Sequence, residues 1–555
     1  MSGFDHKHMN GAVLAAILVL AALFRLHDVQ QPLVDAFSWR EASTAMMADN
    51  FFLRSWNIFF PEVSWTGPDP SYQGRELQVI SYITALLYAV FGWDDTWGRL
   101  VAIAFGVWGV FALHRLIARL WDEAHAHAGA FLLAIMPGAV MIDRSFLPDP
   151  AMLALVTTGA WAYVAYLEND RLPVLIAAGL LTTIGVLAKL PGIAVVVPMA
   201  YATFVILHQR DRLSLGRLLV ILPVALVAGA LILGYYRWAH YLGTNYPPYH
   251  VAGSGYLWSD GFARFFEEAF YIPATWKIAS SWLFTLPVVI LTGIALLTAP
   301  PAANEGAPDD ASASSARWFF HLWFLGAALV YVFAAREIKT NPWNFHIFNV
   351  PMAALAGRGL ILLVGIGREQ GLHTRALRLA AIAAVVVIGG SIPGLSLMKT
   401  PYADHGEKLG TRLSELSQPG DLVITATPTI GDPVAIYYSR RRGWVFPPGG
   451  GETEWSMLLE DDDAIEALEE LRARNASWFG ITKNARDMQR RRFLEYNKGL
   501  IAHLDKTAER VVDDDTMLIY RLTPPGNRGK AGRTRSARML ASAPDGQPVL
   551  PDATP

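Results

Sequence analysis

Apolar runs alternate with short polar breaks over roughly the first 400 positions, and the lengths of those runs set the architecture. Eleven approach or exceed the roughly 18 residues of a membrane-crossing helix. They lie at about 10–27, 99–119, 127–142, 151–167, 172–188, 191–208, 217–238, 277–299, 317–335, 345–366 and 378–397. A twelfth run, 77–92 (LQVISYITALLYAVFG), is near the lower limit and sits between polar stretches. It is read as a helix lying in the membrane interface, with a true span as the alternative. Lys7 followed by the apolar run from Gly11 to Phe24 resembles a signal, but no small-x-small cleavage site follows, so it is expected to stay as the first span.

The pattern changes twice. Val34 to Glu76, directly after the first span, is rich in Trp, Phe, Asp, Glu and Arg and is too polar to cross a bilayer. Early helices of a bundle are normally joined by short connections, so a polar loop this long suggests a working part. From about residue 400 the pattern becomes that of a small α/β domain. DLVITA at Asp421–Ala426 reads as a buried strand, and Pro433–Tyr438 as a short helix or strand. Asp461–Arg474 has acids first, bases last and apolar residues at helical spacing, while Ser477–Ile481 and Met517–Leu522 read as further strands. The tail from about Pro524 has a disordered composition. The expected fold class is an α-helical polytopic membrane protein of about 11 spans plus interfacial helices, with a C-terminal periplasmic α/β domain. Its divisions are 1–399 (first outer loop about 29–98), 400–524 and a tail at 525–555.

Composition agrees: 53% of residues are hydrophobic and 17% charged, against about 25% charged in soluble proteins. The net charge of -2 gives no reason to expect a nucleic-acid partner, and with no cysteine there is neither thiolate chemistry nor a disulfide. Basic residues orient the chain. With the N-terminus in the cytoplasm, Arg115 and Arg119, Arg171, Arg210, Arg212 and Arg217, Arg317, and Arg368, Arg375 and Arg378 all fall inside. A spanning 77–92 would put every later cluster on the wrong side. Eleven spans place the C-terminal domain outside.

The residues suited to chemistry collect in the outer loops. Asp35 lies just beyond the first span, where partial desolvation strengthens a carboxylate as a base, though it could equally cap the next helix. Glu41 stands three residues after Ser38, a capping-box spacing, and is as readily structural as functional. Arg40 precedes it. Glu76 reads as an acid at the start of the interfacial helix. Arg144 suits bidentate phosphate binding. Asp149, before Pro150, caps the next helix or faces Asp35 to bind an acceptor or a divalent cation. Lys189 breaks an apolar stretch and suits an anionic lipid phosphate, or snorkels. Arg336, Lys339 and His346 cluster near the tenth span. His240, Tyr246, Tyr249 and His250 lie in an aromatic outer loop that reads as a lid or as an interfacial belt.

The order of several motifs resembles the GT-C glycosyltransferases of the protein O-mannosyltransferase and aminoarabinose-transferase type, the family 39-like proteins. These motifs are DAFSWREASTAMMADNFF, GRELQVISYITALLYAVFG with WGRL, PGAVMIDRSFLPDPAM with Asp149, LAKLPG, and FHIFNVPMAALAGRGL. The likeness covers roughly 10–400. It implies a membrane-embedded cavity, a polyprenyl-phosphate sugar donor, inversion at the anomeric carbon and a first-loop acid as base. That acid falls on Asp35, while Arg144 and Lys189 match groups near the donor phosphate. Many members carry adjacent Asp-Glu where this chain has Arg40-Glu41, so Glu41 is a rival for the base.

The expectation is therefore an inverting glycosyltransferase of the bacterial inner membrane. It would move a sugar from a lipid-linked donor to a hydroxyl of a glycan, lipid or protein acceptor. Asp35 and Glu41 are the catalytic candidates. Arg40, Glu76, Arg144, Asp149, Lys189, Arg336 and His346 would bind substrate, with a divalent metal such as Mg or Mn at Asp35 and Asp149. A transporter or lipid-linked glycan flippase would instead put ionisable groups at the bilayer midplane and often show inverted repeats, neither of which is evident. A non-catalytic assembly or sensor subunit would act through the outer α/β domain.

Overall fold

In the computed structural model, the described residues are 2–250, 283–301, 316–334, 342–369, 386, 388–392, 395–396, 401–449 and 457–522. The chain divides into two compact units, one of Met1–Val63 with Pro70–Ala403 and one of Ser64–Asp69 with Asp404–Pro555.

The first unit is helical. Its elements are α1 (Ser2–Leu26), α2 (Ser38–Leu53), α3 (Val79–Phe91), α4 (Thr96–Leu120), α5 (Glu123–Ile135), α6 (Pro137–Arg144), α7 (Asp149–Asn169) and α8 (Leu172–Ala188). A 3-10 turn, Leu190–Val195, runs into α9 (Val196–Gln209), and α10 covers Leu215–Asn245. Later helices are Leu286–Leu296, Phe319–Phe333 and Asn349–Glu369, the last entered through a 3-10 turn at Pro342–Phe348. Six helices among the described residues are long and apolar enough to cross a membrane, or seven if a bent pair counts as one crossing. Residues 378–397, expected as the eleventh span, lie largely outside the described residues, as do 251–282, Arg336 and Lys339.

The interfacial run forms α3. At 13 residues it is about 20 Å long, short of the ~30 Å hydrocarbon core. It buries Ile80, Thr84, Ala85 and Tyr88 and leaves Leu86, Val90 and Phe91 exposed.

Three local expectations change. The single span at 127–142 is two helices, α5 and α6, bent by 61° at Met136. Pro137 has no N–H and its ring excludes a continuous helix through this point. The carbonyls released at the end of α5 are taken by Arg25, whose Nη1 donates to Ala134 at 3.0 Å and Nη2 to Leu133 at 3.2 Å. Second, α10 runs 31 residues to Asn245, so His240 is helical rather than part of a loop. Third, Ser38 does not form a capping box: α2 starts with Phe37 at its cap and no side-chain cap bond.

The second unit holds a five-stranded sheet in the order β2-β1-β3-β5-β4. Its strands are β1 (Leu422–Ala426), β2 (Arg442–Val445), β3 (Ala476–Thr482), β4 (Glu509–Asp513) and β5 (Met517–Arg521). β1 pairs parallel with β2 and β3, whereas β5 pairs antiparallel with β3 and β4. The three central strands are almost wholly buried, as strands covered on both faces should be. A core of Ile424, Phe446, Leu468, Phe479, Phe493 and Tyr520 fills one side. Ser64–Asp69, from the first loop, joins this unit beside β2. Thr66 bridges Trp444, Gly67 N–H donates to Gly443 at 2.7 Å, and Arg474 pairs with Asp69 at 2.7 Å.

Candidate active site

The first-loop acids meet the ends of α4 and α6. Asp35 is 4% exposed. Its Oδ1 accepts from Phe37 N–H at 3.2 Å and its Oδ2 from Gln31 Nε2 at 3.2 Å, which fixes the turn into α2. Two guanidinium groups face the same oxygen, Arg99 from α4 at 3.5 Å and Arg144 from α6 at 3.6 Å. Both arginines are 1% exposed, and neither is held by acids alone. Arg99 also donates to the carbonyls of Val29, Gln31 and Pro32, and Arg144 to those of His27 and Asp28 at 3.0 Å. The segment 27–32 is thereby wrapped around two buried cations, which positions Asp35.

Glu41, on the first turn of α2, is fully buried. Its Oε1 accepts from the backbone N–H of Phe146 at 2.8 Å and lies 3.6 Å from Arg99 Nε. Phe146 reaches this place because Gly98 of α4 has no side chain where its ring lies. Burial, and then the neighbouring Asp35 charge, push Glu41 up to about 8, with Arg99 and the Phe146 N–H opposing. Glu41 Oε2 has no hydrogen-bond partner among the described residues. Asp35, which faces both arginines, is the acid beside it.

Asp143, one residue before Arg144, faces another way. It pairs with Arg25 at 2.7 Å and lies 3.0 Å from His346 Nε2, while His346 Nδ1 is 2.7 Å from Asn349. His346, fully buried on the 3-10 turn, is thus tied to α6. Gly106 admits this cluster, because a Cβ there would come within 2.5 Å of Asp143. Asp149 opens α7, and its Oδ1 takes Lys189 at 2.6 Å, joining α7 to the end of α8. Asp149 Oδ2, also buried, has no hydrogen-bond partner among the described residues. Arg40 pairs with Glu76 and approaches Gln73 at 3.5 Å, so Glu76 serves this ion pair and not the start of α3 at Val79. Beyond α10, desolvation and the charges of Arg75 and Arg40 hold the His250 imidazole well below its ordinary range.

Asp35 and Glu41 are therefore brought together, and Arg144 joins them. Arg40 with Glu76, Asp149 with Lys189, and His346 with Asp143 form three further buried pairs; Arg336 lies outside the described residues. A divalent cation does not suit Asp35, where it would meet two guanidinium groups. Asp149 already holds an ammonium. Two residues of the cluster, Arg99 and Arg25, escaped the sequence reading. Their signal was a single Arg near the end of an apolar run, which reads equally well as a snorkelling anchor.

A set of apolar helices followed by a sheet domain is the architecture shared with solved GT-C structures. Residues 78–238 match the model of the dolichyl-phosphate-mannose-protein mannosyltransferase family. The structure is similar to ArnT from Cupriavidus metallidurans in the apo state, at TM-score 0.58 and 12% identity over 94% of this chain and 98% of that one. The same protein bound to undecaprenyl phosphate matches at TM-score 0.55 and 12% identity, over 93% and 98%. The Archaeoglobus fulgidus oligosaccharyltransferase in complex with zinc and sulfate matches at TM-score 0.54 and 14% identity, over 84% of this chain and 68% of that one. At such identities the likeness establishes the fold, a multi-pass membrane GT-C architecture. No curated protein matches the chain.

Proposed function

We propose that the chain is an inverting glycosyltransferase. It moves a sugar from a polyprenyl-phosphate donor to an acceptor hydroxyl at the periplasmic face of a bacterial inner membrane. One observation carries the reading: Asp35 is a buried acid held between Arg99 and Arg144, beside Glu41, whose own carboxyl is pushed toward its protonated form. A base of this kind is what attack by a hydroxyl requires. The acceptor oxygen forms a bond to the anomeric carbon as its proton passes to Asp35. The bond from that carbon to the phosphate oxygen breaks, and its electron pair leaves with the polyprenyl phosphate. A single carboxylate suffices, which fits a mechanism with inversion.

Cations stabilise the charge growing on the leaving phosphate. Arg40 and Lys189 are the candidates. In the chain without donor each is paired to an acid, Glu76 and Asp149, so the phosphate exchanges with or joins those acids. Asp149 Oδ2, buried and without a hydrogen-bond partner among the described residues, is the acceptor an incoming hydroxyl would meet. Arg144, held by backbone carbonyls on one side, orients Asp35 rather than meeting phosphate. His346 acts through Asp143 as a brace for α6. The polyprenyl donor is supported by the like-folded ArnT that binds undecaprenyl phosphate. With the N-terminus inside, the sheet-bearing unit stands in the periplasm.

The test uses purified full-length protein and a labelled polyprenyl-phosphate sugar. Wild-type protein releases free polyprenyl phosphate when acceptor is present, and Asp35→Asn does not, while still binding donor. Unchanged release in that variant would remove Asp35 from the chemistry. Movement of intact donor across a vesicle bilayer without cleavage would favour a flippase.

A further inference from the structure

At the far end of α4 lies a second cluster, which the proposed transfer does not use. His114 is fifteen positions after Arg99 on the same helix, about 22 Å along its axis. Its imidazole is 2% exposed. Across the short turn, Glu123 and His127 stand four apart on α5 and so share one face of that helix. His114 Nε2 is 3.1 Å from His127 Nδ1 and 3.3 Å from Glu123 Oε2, and one ligand atom from each residue falls within 4.8 Å of the others.

Hydrogen bonds alone satisfy this arrangement poorly. Two neutral imidazoles can place one hydrogen on the His114–His127 axis. Glu123 Oε2, although 3.3 Å from His114 Nε2, is left without a hydrogen-bond partner among the described residues. The neighbouring polar residues are already committed. Asp122 caps α5 through the His125 N–H at 2.9 Å and holds the His125 ring at 2.7 Å, and Arg358 reaches the other ring nitrogen at 3.2 Å. His125, although it lies between Glu123 and His127 in sequence, is thereby excluded from the cluster.

We infer that His114, Glu123 and His127 form a zinc site clipping α4 to α5 at the end remote from Asp35. Two imidazole nitrogens and a carboxylate suit zinc rather than magnesium or calcium. With zinc–nitrogen distances of about 2.0–2.1 Å, tetrahedral ligand atoms lie roughly 3.4 Å apart, close to the separations seen. Three protein ligands leave a fourth position for water. The Glu123 side chain is 44% exposed, so an ion has a way in.

The experiment uses the full chain, purified with a tag lacking histidine, stripped with chelator and re-exposed to Zn2+ alone. The wild type is expected to retain one zinc per chain by elemental analysis and to melt at a higher temperature with zinc than without it. His127→Gln and Glu123→Gln should each weaken retention by more than about tenfold, since losing even an outer-sphere partner costs 10–100-fold. Their metal-free melting should stay near that of metal-free wild type. Wild-type protein that holds no more zinc than the triple variant lacking all three ligands would overturn the proposal, as would single variants that bind like wild type. If the variants do not fold, X-ray absorption of zinc-loaded wild type decides. Imidazole scattering from two histidines supports the site, and a shell without it refutes it.

Discussion

The charges of the helical unit and those of the sheet unit follow different rules. Around Asp35 the ionisable side chains are nearly all buried: Arg99 and Arg144 at 1%, Glu41 at 0% and Arg25 at 0%. In the sheet unit most ion pairs are open, as in Arg492 with Glu495 at 68% and 66% exposed and Arg412 with Glu415 at 46% and 56%, with the buried Asp487 beside Arg491 as an exception. Exposed pairs contribute little, since water screens them and two long side chains must be ordered. Buried pairs carry a desolvation cost that is offset only by good partners, and they fail badly when one partner is removed. Among the described residues the sheet unit buries single acids, Asp432 and Asp487, whereas the helical unit gathers several buried acids and arginines into one cluster.

The largest effect should come from Asp35. Asp35→Asn keeps the volume and the Phe37 contact but removes the base. Loss of a positioned acid-base group costs about 10²–10⁴ in rate. Release of polyprenyl phosphate from labelled donor should fall by that factor, with donor affinity little changed. A fall under tenfold would make the buried acid structural and erase the contrast.

Arg25→Met comes next and touches stability more than chemistry. It strips Asp143 of its 2.7 Å partner and frees the carbonyls of Leu133 and Ala134 at the bend between α5 and α6. Asp143 then keeps only His346, so the cost approaches the figure of about 3–5 kcal/mol for a buried charge that loses its partner. Denaturant unfolding of the full chain in detergent measures it. Arg25→Met together with Asp143→Leu should recover part of the loss, because the orphaned charge is then gone.

Glu41 gives a pH test of intermediate size. Its value is raised from 4.5 to about 8 by burial and by Asp35. Between those limits the folded chain holds a proton that the unfolded chain has shed, so stability falls as pH rises. The contribution is complete below about 4.5 and is lost as pH passes 8. Glu41→Gln keeps an acceptor for Phe146 N–H and a donor for Asp35 but cannot ionise. The difference in stability between wild type and Glu41→Gln should therefore change with pH across this window and level off above it. A difference that stays constant would mean that Glu41 is ionised throughout.

How much of this was legible in advance follows the range of the forces involved. The apolar runs announced the helices because periodic burial is local. The acids at 35, 41, 76 and 149 stood out because a polar residue in such a chain needs a reason to be there. Partners were another matter. Arg99 binds carbonyls near Gln31, 68 residues away, and Arg25 reaches Asp143 across 118, and no local pattern encodes either contact. Pro137 was visible, yet a run of apolar residues on both sides reads as one span until the bend is seen. The pairing of Ser64–Asp69 with β2 was equally hidden, since Arg442 reaches Gly67 across 375 residues. β2 and β4 escaped for a simpler reason: β2 has four residues, and β4 alternates few apolar positions.

The smallest expected effect completes the contrast. Arg492→Ala removes the 3.0 Å pair with Glu495 on the sheet unit, where both side chains are about two-thirds exposed. Such a pair, three residues apart, adds at most a few tenths of a kcal/mol. Unfolding of the full chain should shift by less than about 0.5 kcal/mol, and less still in high salt, because screening already weakens the wild-type pair. Polyprenyl phosphate release should stay at the wild-type level. A loss of several kcal/mol here would show that exposure is a poor guide to which charges matter in this chain, and would take with it the argument that singled out Asp35 and its two arginines.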